Sequence, residues 1–191
     1  MQESIIDLIN DSIRNFSNIS KNRAQVLLIE QIANIIIDAY NDDCKLLLCG
    51  NGGSASDAQH IAAELSGRFE MDRGPLNAEA LHVNSSYLTA VANDYGYEEV
   101  YARMVKAAGK NGDVLLALST SGNSSNVLKA IEQANHIGMT TIGFSGNDGG
   151  KMNEICKYNL IIPSSNTARI QEAHILVGHI ICKLIEQKIF K

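Results

Sequence analysis

Apolar positions along the first part of the chain fall three and four apart. Ile5, Ile9, Ile13, Phe16 and Ile19 form one such stripe, and Val26, Ile29, Ile32, Ala33 and Ile36 form another. That spacing predicts helix from residue 2 to about 39, with a break near Ser17 to Asn22 and a second helix from about Arg23 to Tyr40. The second helix also carries Leu27, Leu28, Ile35 and Ile37 away from its main stripe. A helix apolar over so much of its circumference is covered on more than one side. In so short a chain a partner subunit is the natural cover.

Past the Asn41-Asp42-Asp43 turn the pattern changes. Short, nearly continuous apolar runs occupy Lys45 to Cys49, Ala78 to Val83, Asp113 to Ser119, Thr140 to Phe144 and Tyr158 to Ile162, where Pro163 stops the last. Helical stretches separate them. One covers Ala58 to Leu65, with Ser54, Ser56 or Asp57 as N-cap. One starts from Ser85 or Ser86 and ends near Asn93-Asp94. One covers Glu98 to Ala108, closed by Gly109, and one Asn126 to His136, closed by Gly138. Ser145 to Gly150 reads as a loop, Lys151 to Ile155 as a helical turn, and about Thr167 to Lys188 as the last helix. Strands without polar alternation are buried on both faces. Alternating with helices, they predict a parallel α/β sheet with right-handed crossovers.

Length and composition narrow the class. A chain of 191 residues is a single domain by size. Its 45% hydrophobic content and two prolines describe a packed globular protein. A net charge of −5 argues against a nucleic-acid or anionic-membrane surface. The N-terminus has no basic segment or cleavage site of a signal peptide, and no apolar run approaches the roughly 20 residues that span a bilayer. Cys49 and Cys182 lie in apolar runs, and none of the four cysteines forms a C-x-x-C pair, which predicts reduced thiols and a cytoplasmic protein.

Two turns carry candidate chemistry. Gly50-Asn51-Gly52-Gly53-Ser54 follows the first strand and opens a helix. Ser119-Thr120-Ser121-Gly122-Asn123-Ser124 follows the third and opens another. Both lie at the carboxyl ends of strands, where open parallel sheets bind ligands. The serine turn lacks a Walker lysine, and neither turn has G-x-G-x-x-G, which disfavours nucleotides and dinucleotides. Hydroxyls, free N–H groups and a helix N-terminus suit one sugar phosphate.

A second set is polar groups on helices. His60 and Glu64 are four apart and share a face, a spacing that serves joint metal coordination or proton relay. Gln171 and His179 stand in the apolar last helix, where polar groups need partners. Eight residues, or roughly 12 Å of axial rise, separate them. Their side chains converge from both ends, or the site draws on two subunits. His82, His136 and His174 read as ordinary core or surface histidines.

These segments resemble the sugar isomerase (SIS) family and, within it, the bacterial phosphoheptose isomerases. The resemblance spans nearly the whole chain. It is carried by Cys-Gly-Asn-Gly-Gly-Ser at 49–54, Asp-Ala-Gln-His-Ile-Ala-Ala-Glu-Leu-Ser-Gly-Arg at 57–68, and Ala-Asn-Asp-Tyr-Gly-Tyr at 92–97. It continues in Gly-Asp-Val-Leu-Leu-Ala-Leu-Ser-Thr-Ser-Gly-Asn-Ser at 112–124, Gly-Gly-Lys-Met at 149–152 and Arg-Ile-Gln-Glu-Ala-His-Ile at 169–175. Residues Glu70 to Ala78 look divergent. The serine turn marks the wider family, and the joint presence of His60, Glu64, Gln171 and His179 marks the narrower one.

The resemblance implies a three-layer α/β/α SIS fold, with a five-stranded parallel sheet, helices on both sides and N-terminal helices at residues 1–40. It implies a homotetramer with active sites between subunits, and one zinc per subunit on His60, Glu64, Gln171 and His179. Glu64 would be the catalytic base and His179 the acid. Substrate contacts would come from Asn51, Gly52, Gly53, Glu64, Asn93, Asp94, Ser119, Thr120, Ser121, Ser124 and Gln171, with Arg68 as a further polar contact. Thr120 and Asp94 would orient sugar hydroxyls. The implied reaction is aldose–ketose isomerisation of sedoheptulose 7-phosphate through an enediol, the first step towards activated heptose for lipopolysaccharide or capsule. SIS domains also serve as non-catalytic modules that bind sugar phosphates or a replication-initiator protein, and such a module need not hold the acid/base and metal set.

Overall fold

The computed structural model describes residues 1–191. Helices α1 (Gln2–Lys21) and α2 (Arg23–Asn41) meet at Asn22, whose side chain accepts the N–H groups of Ala24 and Gln25. The break therefore falls at the last residue of the expected window, the one placed to cap the next helix. Then come β1 (Leu46–Gly50), α3 (Gly53–Ser66), β2 (Ala78–Ala80), α4 (Ser85–Tyr95), a 3₁₀ turn at Tyr97–Glu99 and α5 (Val100–Ala108). They are followed by β3 (Val114–Ser119), α6 (Ser125–Ile137), β4 (Thr140–Gly146), α7 (Met152–Ile155), β5 (Tyr158–Ile162) and α8 (Thr167–Ile189).

The strands form one parallel sheet in the order β2-β1-β3-β4-β5. After β1 the chain moves to one side for β2, then crosses back over β1 to place β3 on its other side. The switch point of the sheet is therefore the β1/β3 edge. Gly50 pairs with Leu118 and Ser119 with Ser145, so the glycine turn and the serine turn leave the sheet at the same level.

Strand alternation divides the core. Leu46, Leu48, Leu116 and Leu118 pack with α2, α3 and α8 on one face. Leu47, Cys49, Leu115 and Ala117 pack with α4, α5 and α6 on the other. This is the three-layer arrangement that the apolar runs predict. Cys49 and Cys182 are buried, and all four cysteines are free.

Several boundaries depart from expectation: α5 starts at Val100, after the 3₁₀ turn, rather than at Glu98. α3 begins at Gly53 rather than Ala58, with no side-chain cap. β2 ends at Ala80, because the chain turns with Val83 N–H on Ala80 O. Asn84, not Ser85 or Ser86, caps α4, its side chain accepting from Tyr87 N–H. β4 continues through Ser145 and Gly146, which pair with β5. No helix is long and apolar enough to cross a membrane.

Candidate active site

The first turn owes its shape to Gly52. Its φ of 55° and ψ of −121° suit a residue without a side chain. Its carbonyl accepts the N–H groups of Ala55 and Ser56, so α3 starts directly on leaving the sheet. Seven residues along that helix stands His60, and Glu64 follows one turn later.

The serine turn is braced from behind. Gly146 N–H donates to Thr120 O, Met152 N–H to Gly122 O, and Lys151 N–H to the Asn123 side chain. Ser119 and Ser124 hydroxyls are 3.0 Å apart, with the Ser121 hydroxyl 3.5 Å from Ser119. Three hydroxyls and the N-terminus of α6 thus face one small volume. That geometry suits an anion.

An amide pair joins the two turns. Asn51 and Asn126 exchange hydrogen bonds of 2.8 and 2.9 Å, and the Tyr97 hydroxyl donates to Asn51 Oδ1 at 3.3 Å. Asn126 is buried in the first turn of α6. Sequence reasoning missed both partners of Asn51. Tyr97 lies next to Asn93 and Asp94, which are exposed at the end of α4 with the Asn93 amide on the Asp94 carboxylate at 2.9 Å. No hydrogen bond joins Asn93, Asp94 or Arg68 to either turn within the single chain, and Arg68 is exposed without an ion pair.

The remaining expected residues meet where α3 and α8 pack side by side. Gly53 faces Gln171, Ile61 faces Gly178, and His60 faces His179. These pairs ascend together along both helices, so the helices run parallel. Gly178 permits the approach, since a Cβ there would come within 2.6 Å of the Ile61 side chain. His60 Nε2 lies 2.9 Å from Glu64 Oε1 and 3.3 Å from His179 Nε2. Gln171 enters this face at its other end, its carboxamide lying against Gly53.

The donor set fits a metal. Ligand atoms of His60, Glu64 and His179 all lie within 4.8 Å of one another. Two imidazole nitrogens facing each other beside a carboxylate oxygen present lone pairs to one point. Two nitrogens and one oxygen, with a fourth position open, is a set that catalytic zinc takes. Phe69 stacks on the His179 ring with centroids 5.6 Å apart, and His60 meets it edge-on at 4.9 Å. Phe69 was missed in the sequence, as were Arg73 and Glu186 behind it. A carboxylate in the buried stripe of Ile181, Cys182 and Ile185 was the available signal, because such a group needs a partner.

The chain matches the SIS domain family over residues 9–146. It is 49% identical to a phosphoheptose isomerase of Clostridium acetobutylicum, across 100% of this chain and 97% of that one. The solved structure of a Neisseria gonorrhoeae phosphoheptose isomerase, GmhA, superposes with a TM-score of 0.92 at 42% identity, covering 97% of this chain and 98% of the other. That of a Francisella tularensis phosphoheptose isomerase gives 0.93 at 35% identity, with the same coverage. The glycine turn, serine turn and paired helices thus belong to a known architecture, and the chain is a member of the SIS domain family and, within it, of the phosphoheptose isomerases, which are aldose–ketose isomerases.

Proposed function

We propose that this chain, a single SIS domain over residues 1–191, converts sedoheptulose 7-phosphate to D-glycero-D-manno-heptose 7-phosphate in the cytoplasm. This would be the first step towards activated heptose for lipopolysaccharide or capsule. The observation that carries the proposal is the meeting of His60, Glu64 and His179 on paired helices, one of which starts at the glycine turn.

The phosphate lies in the serine turn, where Ser119, Thr120, Ser121 and Ser124 surround it and the α6 N-terminus favours its charge. Asn51, Gly52, Gly53 and Gln171 line the chain of the sugar. Thr120 and Asp94 orient its hydroxyls, with Asn93 and Arg68 as further contacts. Glu64 takes the proton from the carbon next to the carbonyl, and His179 donates one to the carbonyl oxygen, giving the enediol. Glu64 then returns its proton to the carbon that bore the first carbonyl, while His179 takes back a proton from the hydroxyl that becomes the second carbonyl, so both groups end as they began and nothing is gained or lost overall. Glu64 Oε1 faces His60 while Oε2 makes no hydrogen bond, which leaves one oxygen for that proton. His60, Glu64 and His179 would hold a zinc, with Gln171 as the fourth ligand that the family resemblance implies, and the contribution of the metal when bound is to polarise the substrate oxygens.

The cluster is open on one side: the His60 side chain is 48% exposed. Beside it α8 presents Leu176, Ile180 and Leu184 to solvent, and α1 presents Ile5, Ile9 and Ile13. An apolar surface continuous with a half-open site supports a homotetramer whose subunits close each other's sites.

The test is conversion of sedoheptulose 7-phosphate to the aldose phosphate, with and without chelator. Turnover should fall on zinc removal and return when zinc is restored. Glu64→Gln should lower kcat about a thousandfold, within the range for loss of a general base. Retained turnover in that folded variant would remove Glu64 from the role.

A further inference from the structure

We propose that Phe69 is a positioning residue for His179, and that the buried pair of Arg73 and Glu186 exists to hold it there. The proposal rests on the reading of His179 as the acid of an isomerase.

The segment concerned leaves α3 at Gly67 and has no regular secondary structure before β2. It is nevertheless fastened at every step. Glu186 accepts the backbone N–H groups of Phe69, Glu70 and Met71 at 3.0, 2.9 and 3.2 Å, and Arg73 Nε at 2.9 Å. The Arg73 guanidinium donates in turn to the carbonyls of Glu64, Leu65, Gly67 and Gly74. Both side chains of the pair are 2% exposed. Burial acts to raise the Glu186 pKa, but the backbone donors and Arg73 outweigh it and hold the group below its ordinary value.

A buried ion pair adds little net stability over apolar residues of similar size. A fully satisfied one does fix geometry. This one fixes two things at once. Arg73 ties off the last carbonyls of α3, the helix that carries Glu64. Glu186 stands two turns beyond His179 on the same face of α8 and draws the chain back over it. The side chain delivered by that loop is Phe69, whose ring lies within 21° of parallel to the imidazole. Offset stacking at this separation is attractive. With His60 edge-on to it, the His179 ring has contacts that oppose rotation, and Nε2 stays turned toward His60. Misplacing a reacting group by about 1 Å can cost about a hundredfold in rate.

Phe69 is the position to vary, because Glu186→Gln would disturb four donors and the end of α3 together. Phe69→Leu keeps the backbone anchors and removes the ring; Phe69→Tyr keeps the ring. In the zinc-loaded protein, Phe69→Leu should lower kcat about tenfold, with KM for sedoheptulose 7-phosphate and the thermal midpoint unchanged, and Phe69→Tyr should restore most of kcat. The His179 ring C–H signals in NMR should be displaced by the ring current in the wild type and in Phe69→Tyr, and return toward ordinary values in Phe69→Leu. Wild-type kcat in Phe69→Leu, or equal losses in the two variants, would overturn the proposal. If the wild type itself fails to turn over the sugar, the isomerase reading falls instead, and the ring signals alone decide whether Phe69 holds the imidazole.

Discussion

At the scale of single residues, Gly53 would separate what the fold needs from what the proposed chemistry needs. Its φ is not positive, and it opens a helix, where alanine is favoured. A Cβ there would nonetheless overlap the Gln171 carboxamide, the flexible end of a side chain, which can swing aside. Gly53→Ala should therefore melt at or above the wild-type temperature while kcat/KM falls between about tenfold and about a hundredfold. Thermal melts beside steady-state kinetics check both halves, and unchanged kinetics would mean Gln171 works equally well elsewhere. How much of the site was legible depended on distance along the chain. His60 and Glu64 could be paired from their spacing, because one helix turn relates them. Phe69 and Glu186 could not, since 117 residues separate the carboxylate from the N–H it accepts. Asn126 looked like an ordinary residue at a helix start; only the register of β1 on β3 brings it to Asn51.

At the scale of elements, strand positions were legible because buried parallel strands are uninterrupted apolar runs. Their ends were not, because ends depend on what the neighbouring strand offers: β4 gains Ser145 and Gly146 from pairing with β5. The start of α3 was misplaced because Ser54, Ser56 and Asp57 looked like caps, whereas the positive φ of Gly52 makes the turn without one. The docking of α8 on β4 has its own pH dependence. His174 is fully buried, its Nε2 3.2 Å from Ser145 O and its Nδ1 without a partner. Burial favours the neutral ring and lowers its pKa to about 4, although the bond to Ser145 opposes the shift. The unfolded chain takes up this proton near pH 6.5, the folded chain only near 4. Stability from this group is thus complete above about pH 6.5 and falls as the pH drops toward 4. Between pH 7 and pH 5 the wild type should lose about 2 kcal/mol more than His174→Gln, at about 1.4 kcal/mol per pH unit. Denaturant unfolding at the two pH values measures it, and equal losses would mean that His174 does not titrate in this window.

At the scale of the whole molecule, one face of the chain is unfinished. Ile5, Ile6, Leu8, Ile9 and Ile13 on α1 are each more than half exposed, and Leu176, Ile180 and Leu184 on α8 are exposed by a third or more. Between α1, α2 and α8 lies an open cavity of about 390 Å³, lined by Phe16, Ile19, Val26, Ile29, Leu176 and Ile180 among others. Leaving so much contiguous apolar surface in water is unfavourable by about 25 cal/mol per Å². A second copy of the same chain can cover it through a self-complementary contact. Ile180 follows His179 directly, so such a contact would also reach the cluster of His60, Glu64 and His179, where His60 is half exposed. Ile9→Glu with Ile13→Glu places two charges on the α1 stripe, at a distance in sequence from every proposed site residue, and burying them unpaired would be costly. The double variant should keep its far-ultraviolet circular dichroism, run at less than tetramer mass by light scattering, and lose at least about tenfold in kcat. A tetramer that survives both charges would remove α1 from the interface. A smaller species with wild-type turnover would show that one chain completes the site by itself, and the glycine turn, the serine turn and the α3–α8 face would then need no partner to hold the sugar.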